Sequence, residues 1–188
     1  MKELVWDLFV RVFHWSLVLS FTLAYLAAEY GYDEVHELLG YFIAVLVVSR
    51  IVWGFIGSKY ARFSSFLYSI QDKLNHLKAI VKNDHQEHHM GHTPLGGAMV
   101  FALLFSLLAM ITSGLTLLGW SEFTGPVWAL NIPVSEWFGD VSKWVHYELA
   151  VVMLFLIGAH ILGVMIAGWQ HKENLVRSMF TGYKNKQD

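Results

Sequence analysis

Residues 97–117 read GAMVFALLFSLLAMITSGLTL, twenty-one positions without one charged side chain. A helix of about 20 apolar residues crosses a hydrocarbon core of about 30 Å, so this stretch is a transmembrane span. Three more stretches meet the same criterion. Residues 8–28 carry Arg11 and His14 near their start, residues 35–56 carry His36 and Glu37 at one end and Arg50 near the other, and residues 145–168 carry Glu148 and His146 early and His160 further in. Hydrocarbon offers the backbone no hydrogen-bond partner, so each span must be helical. The expected fold is all-α, one integral membrane four-helix bundle occupying residues 1–188.

Composition agrees with the spans. Hydrophobic residues make up 55% of the 188 positions and charged residues 15%, with a mean hydropathy of +0.45. Soluble domains carry roughly a quarter charged residues, and a chain of this size has no soluble core large enough to conceal the excess. The net charge of −2 gives no basic surplus for nucleic acid. The absence of cysteine removes disulfides, thiolate nucleophiles, Cys-held iron–sulfur clusters and thioether-attached haem. A redox centre here has to be held by histidine, methionine or carboxylate.

The basic residues set an orientation. Lys2, Arg11, Lys59, Arg62, Lys73, Lys78, Lys82, Lys172, Arg177, Lys184 and Lys186 fall on one side of the spans, and only Lys143 falls on the other. By the excess of Lys and Arg in inner loops, both termini face the cytoplasm. A cleaved leader is the alternative for the first span, with Ala24, Ala27 and Ala28 after an apolar run, but the run is long and Asp7 lies upstream. Between spans two and three, Phe66, Leu67, Ile70, Leu74, Leu77 and Val81 recur at helical spacing from Ser64 to Lys82, which predicts an interfacial amphipathic helix. From Gly119 to Ser142 the outer loop carries Trp120, Phe123, Trp128, Trp137 and Phe138, broken by Pro126 and Pro133. Interfacial anchoring explains those aromatics more simply than a docking surface does.

An internal echo carries the chemistry. VHEL at 35–38 and VHYEL at 145–149 open the second and fourth spans, which run in the same direction. His36 and His146 are therefore expected at one depth near the outer face, and His14 and His160 at one depth near the inner face. The fourteen residues from His146 to His160 rise about 21 Å and return to within roughly 40° of the same helix face. Two imidazoles from different helices are what a six-coordinate haem iron takes above and below its ring, and bundle cores are where such sites are built. A lone histidine is more often a satisfied core residue, but ionisable groups in hydrocarbon are costly and usually functional. The pattern predicts two haem b groups, one held by His36 and His146 and one by His14 and His160.

Arg11 lies three residues before His14, and Arg50 fourteen after His36, on the same face as its histidine. Both are expected to pair with haem propionates, with snorkelling to lipid headgroups as the alternative. His76, His85, His88, His89, His92 and His171 fall in polar loop or tail sequence and are expected to be solvated. The run DHQEHHMGH fits no sharp zinc spacing.

The motifs R11-V-F-H14-W15, H36-E-L-L-G40 through R50-I-V-W53-G54, ARFSSF, GHTPLGG and HKENLVRSMFTG occur in this order along nearly the whole chain. In this it resembles the bacterial cytochrome b561 family, which includes the b-type subunits of nickel–iron hydrogenases. The resemblance implies a multi-pass protein of the bacterial cytoplasmic (inner) membrane with two haem b. It also implies electron exchange with the quinone pool of a respiratory chain, and it puts the haem-ligating positions on His14, His36, His146 and His160.

The expected function is electron transfer, with no catalytic residues of its own, to a periplasmic c-type cytochrome or redox enzyme. The acidic residues Glu29, Asp33 and Glu34 would suit a basic face on that partner. Two alternatives compete: a stand-alone quinone-linked oxidoreductase acting on a small oxidant such as superoxide, and, less favoured, a histidine-lined metal transporter or sensor. Trp15 and Trp53 suit a quinone site near the inner haem, but packing or interface roles explain them as well.

Overall fold

The computed structural model describes residues 1–82 and 89–185, the side chain of Val81 excepted. In chain order the elements are a short strand β1 (Lys2–Leu4), helices α1 (Leu8–Glu29) and α2 (Asp33–Ile56), a 3-10 turn at Phe63–Ser65, α3 (Ile70–Lys82), α4 (Pro94–Ser121), α5 (Gly125–Ala129), α6 (Glu136–Gln170), α7 (Leu175–Thr181) and β2 (Tyr183–Asn185). Four of these, α1, α2, α4 and α6, are long and apolar enough to cross a membrane. The expected all-helical membrane architecture is the one observed.

The spans begin and end where local chemistry says they should. Asp7 caps α1, its Oδ1 accepting from the Val10 amide at 2.8 Å. Thr93 does the same for α4, its Oγ1 accepting from the Gly96 amide at 3.1 Å, with Pro94 in the first helical position. Within the spans apolar side chains lie on all sides. In α6 only 6% of the most apolar window is buried, and Val151, Phe155 and Met165 stand fully outward. Lipid is the solvent that accepts such a surface.

Two elements depart from expectation. The fourth span starts nine residues earlier than its apolar run, at Glu136, because Ser135 follows Pro133 and caps the helix, its Oγ accepting from the Phe138 amide at 3.3 Å. Trp137 and Phe138 are therefore helical, and the loop from Gly119 shrinks around the short α5. The amphipathic helix starts at Ile70 rather than Ser64. Ser69 and Asp72 form a reciprocal cap, Ser69 N donating to Asp72 Oδ2 at 3.0 Å and Asp72 N donating to Ser69 Oγ at 3.1 Å. Phe66, left outside the helix, is buried, whereas Leu67, Ile70, Leu74 and Leu77 remain exposed as an interfacial face requires.

The chain divides into two compact units. One comprises residues 1–18, 48–102 and 158–188, the other residues 19–47 and 103–157. In the first, Val5, Trp6, Val10 and Ala61 form a buried cluster with Trp53, Tyr60, Met90 and Met179 packed on it. The two chain ends meet there. β1 pairs antiparallel with β2, Lys2 opposite Asn185 and Leu4 opposite Tyr183. Gly182, at φ +88°, ends α7, and its carbonyl accepts from the amides of Val5 and Trp6 at 2.9 and 3.0 Å. Lys184 is buried and pairs with Glu173 at 3.1 Å. In the second unit Ala24, Ala27, Ile43, Val47, Leu104, Leu107 and Met153 are buried.

Candidate functional site

The four span histidines form two pairs, one in each unit. In the second unit, His36 on α2 and His146 on α6 face each other with ring centroids 6.1 Å apart and planes at 86°. In the first unit, His14 on α1 and His160 on α6 have centroids 6.3 Å apart and planes at 52°. Metal–imidazole bonds of about 2.0–2.1 Å, with a ring nitrogen about 1.1 Å from its centroid, put two imidazoles on opposite sides of one metal ion about 6.3 Å apart. Both pairs stand at that spacing.

Hydrogen bonds orient the second-unit pair. His36 Nδ1 donates to the Ala24 carbonyl at 2.9 Å, and His146 Nδ1 donates to the Met110 carbonyl at 3.0 Å with Ser113 Oγ at 3.2 Å. A carbonyl only accepts, so both rings carry the proton on Nδ1 and keep the Nε2 lone pair for a ligand. That is how metal-binding histidines are held. Gly114 lies against His146: a Cβ there would stand 3.0 Å from Cε1. At Gly40, one turn past His36, a Cβ would meet nothing within 4 Å, so space is open on the His36 side of α2. In the first unit His14 Nδ1 is buried with no hydrogen-bond partner. Such a nitrogen costs free energy unless a ligand engages it.

His76 and His89 also stand 6.2 Å apart. They belong to α3 and the following polar segment, outside the spans, and His89 Nδ1 lies 3.4 Å from the Tyr68 hydroxyl. Burial, followed by His89 and His171, holds His76 less basic than usual. Among the described residues no three His, Asp or Glu side chains converge to hold a metal ion. His85 and His88 lie outside the described residues.

The arginines differ from one another. Arg50 is 3% exposed, donates from Nη2 to the Ala61 carbonyl at 3.1 Å and lies over the Phe63 ring at 5.1 Å. Its Nη1 is buried without a partner. Arg11 donates from Nη1 to the Phe180 carbonyl at 2.7 Å and from Nε to the Asp7 carbonyl at 3.4 Å. Trp15 donates to the Met179 carbonyl at 3.4 Å and stacks on Phe180, and Trp53 donates to Asp7 Oδ2 at 3.0 Å.

His92 corrects the expectation of a solvated loop residue. Its ring is packed edge-on to Trp6 at 4.8 Å and against Phe66 at 4.4 Å, and its Nδ1 is buried without a partner. Burial, with Arg50, Lys184 and His160 adding to it, pushes its pKa down to about 3, so the ring is neutral. The signal was the GHTPLGG motif itself. Its Thr-Pro step starts α4 and fixes the residue before it.

Residues 5–182 match the family model described as prokaryotic cytochrome b561. The chain belongs to that family. A search of curated proteins and a search of solved structures gave no match. A cytochrome b561 of this architecture is a multi-pass bacterial membrane protein for transmembrane electron transfer by b-type haem. The residues present fit that group: facing imidazoles at single-metal spacing, Nδ1 donors that free Nε2, and open space beside Gly40.

Proposed function

We propose that the chain conducts electrons across the bacterial cytoplasmic membrane through two haem b groups, between the quinone pool and a periplasmic redox partner. The observation that carries this reading is the pair of imidazole couples at single-metal spacing, joined by one continuous helix, α6, that supplies His146 to one and His160 to the other. His36 and His146 would hold one haem, and His14 and His160 the other. When bound, haem b supplies a one-electron carrier at each position.

The chain's own residues do the rest. Two imidazoles per haem would leave the iron no site for small ligands, which suits electron transfer over oxygen activation. Nδ1 hydrogen bonds to Ala24 and Met110 carbonyls fix the tautomer and ring orientation of His36 and His146. Arg50, buried with one unpartnered nitrogen, offers a cation for a propionate in the half of the chain holding His14 and His160. Arg11 stands at the start of α1 on the same side. The eleven basic residues on one side of the spans support a cytoplasmic placement of both termini. With no cysteine for thioether-attached haem, the outer partner brings its own redox centre.

Purified protein in liposomes, given a short-chain quinol, tests this. The expected result is haem reduction by quinol and re-oxidation on adding a soluble c-type cytochrome. Failure of quinol to reduce the haem contradicts the reading. Quinone-dependent superoxide turnover without any protein partner would establish the stand-alone oxidoreductase instead.

A further inference from the structure

Nη1 of Arg50 and Nδ1 of His92 are both buried and both lack a hydrogen-bond partner. They belong to the same unit, and one run of rings links them: Arg50 lies over Phe63 at 5.1 Å, Phe63 meets Phe66 at 5.9 Å and Phe66 meets His92 at 4.4 Å. Burial keeps the His92 ring neutral, with Arg50, Lys184 and His160 adding to it. An unpartnered N–H in a buried site costs on the order of 1–3 kcal/mol, more on a charged group, so two of them around one aromatic cluster point to an absent acceptor.

An anion suits this place best. Arg50 is a permanent cation, and the carboxylate acting on it, Asp7, already accepts from Val10 N, Trp53 Nε1 and Ser58 Oγ. Phe63 covers the guanidinium from one side and the Ala61 carbonyl takes Nη2, leaving Nη1 for the missing group.

His92 is held in place for the same purpose. Trp6 and Phe66 clamp its ring, and Thr93 and Pro94 start α4 directly after it. Gly97 lets the first turn of α4 approach the chain at Phe66, where a Cβ would stand 2.8 Å from the Phe66 carbonyl oxygen. The GHTPLGG segment is thus a device for presenting one imidazole.

We infer that His92 and Arg50 together bind one propionate carboxylate of the haem held by His14 and His160, Arg50 through Nη1 and His92 through Nδ1–H. This rests on the proposed assignment of that haem. His92 would serve the propionate and not the iron, because His14 and His160 already stand as a pair 6.3 Å apart.

A donor to the propionate withdraws negative charge from the ring and favours ferrous iron, so its removal favours ferric. In His92→Leu, redox titration followed by visible spectroscopy is expected to show the component assigned to His14 and His160 shifted toward ferric by about tenfold, or about 59 mV for one electron. The other component stays in place and total haem is retained. His92→Asn, whose amide can donate near the Nδ1 position, restores most of the shift. If His92→Leu fails to assemble, Asn against wild type gives the same reading at smaller amplitude.

Reconstitution with haem dimethyl ester removes the acceptor, and the wild-type and His92→Leu potentials should then coincide. An unmoved potential at full haem content overturns the inference. So does a His92→Leu effect confined to the quinol KM, which would make the acceptor a quinone carbonyl. Absence of haem from the wild type would instead overturn the parent assignment.

Discussion

The imidazole planes of His36 and His146 stand at 86°, close to perpendicular, across a centroid separation of 6.1 Å. Those of His14 and His160 are at 52°. Perpendicular imidazoles π-bond to two different iron d orbitals and leave them nearly degenerate, whereas a smaller angle splits them. The ferric protein is expected to give two low-spin EPR signals, the more anisotropic one lost in His36→Ala and His146→Ala. Two signals of equal anisotropy would contradict the observed angles.

Gly114 tests the fit around His146. A side chain there meets the imidazole, its Cβ 3.0 Å from Cε1. Gly114→Leu should remove or distort the His36–His146 component in the reduced-minus-oxidised spectrum and leave the other intact. Ser113→Ala, which deletes a hydroxyl 3.2 Å from His146 Nδ1, should weaken haem retention by about 10-fold or less, since the Met110 carbonyl remains. Equal loss of both components in Gly114→Leu would show a folding defect and not a local clash.

The closure of the chain ends predicts large stability effects far from any histidine pair. Lys184 and Glu173 are 6% and 9% exposed. Lys184→Met breaks the buried pair with Glu173 and is expected to cost about 3–5 kcal/mol, with the double variant Lys184→Met/Glu173→Leu recovering most of it. Thermal unfolding in detergent reads both. A double variant no better than the single would mean that the ion pair is not the term being measured.

Asp7 predicts a pH dependence. Burial raises its pKa, but hydrogen bonds from Ser58, Val10 and Trp53 and the Arg50 charge outweigh that, and the carboxyl lies below its usual value. A carboxyl depressed in the folded state contributes stability that is present above its unfolded pKa of about 3.9 and is lost as pH falls through the folded value. The difference in Tm between wild type and Asp7→Asn should therefore be constant near neutrality and shrink below about pH 4. Asp7→Ala, which also deletes the α1 cap, should cost about 1 kcal/mol more than Asn at pH 7. A Tm difference that grew in acid would have the wrong sign.

Much of this was legible in the chain because hydrocarbon imposes length and helicity on apolar runs, and helical spacing then fixes which histidines share a face. That sufficed to bring His36 toward His146 and His14 toward His160. Polar segments carry no such period. His92 looked like one loop histidine among six, since its burial depends on Trp6, eighty-six positions away. The pairing of Lys2–Leu4 with Tyr183–Asn185 was invisible for the same reason: three-residue strands leave no pattern, and their register is set by Gly182. The early start of α6 was readable in principle from Pro133 and Ser135, but the aromatic-rich sequence resembled an interfacial loop.

Haem stoichiometry with ligand substitutions tests the central claim most directly. Pyridine haemochrome assay and reduced-minus-oxidised spectra would be taken on wild type and on His14→Ala, His36→Ala, His146→Ala and His160→Ala. The account predicts about two haem b per chain, His36→Ala and His146→Ala removing one spectral component and His14→Ala and His160→Ala the other. One haem per chain, or haem retained in full in all four variants, would contradict it.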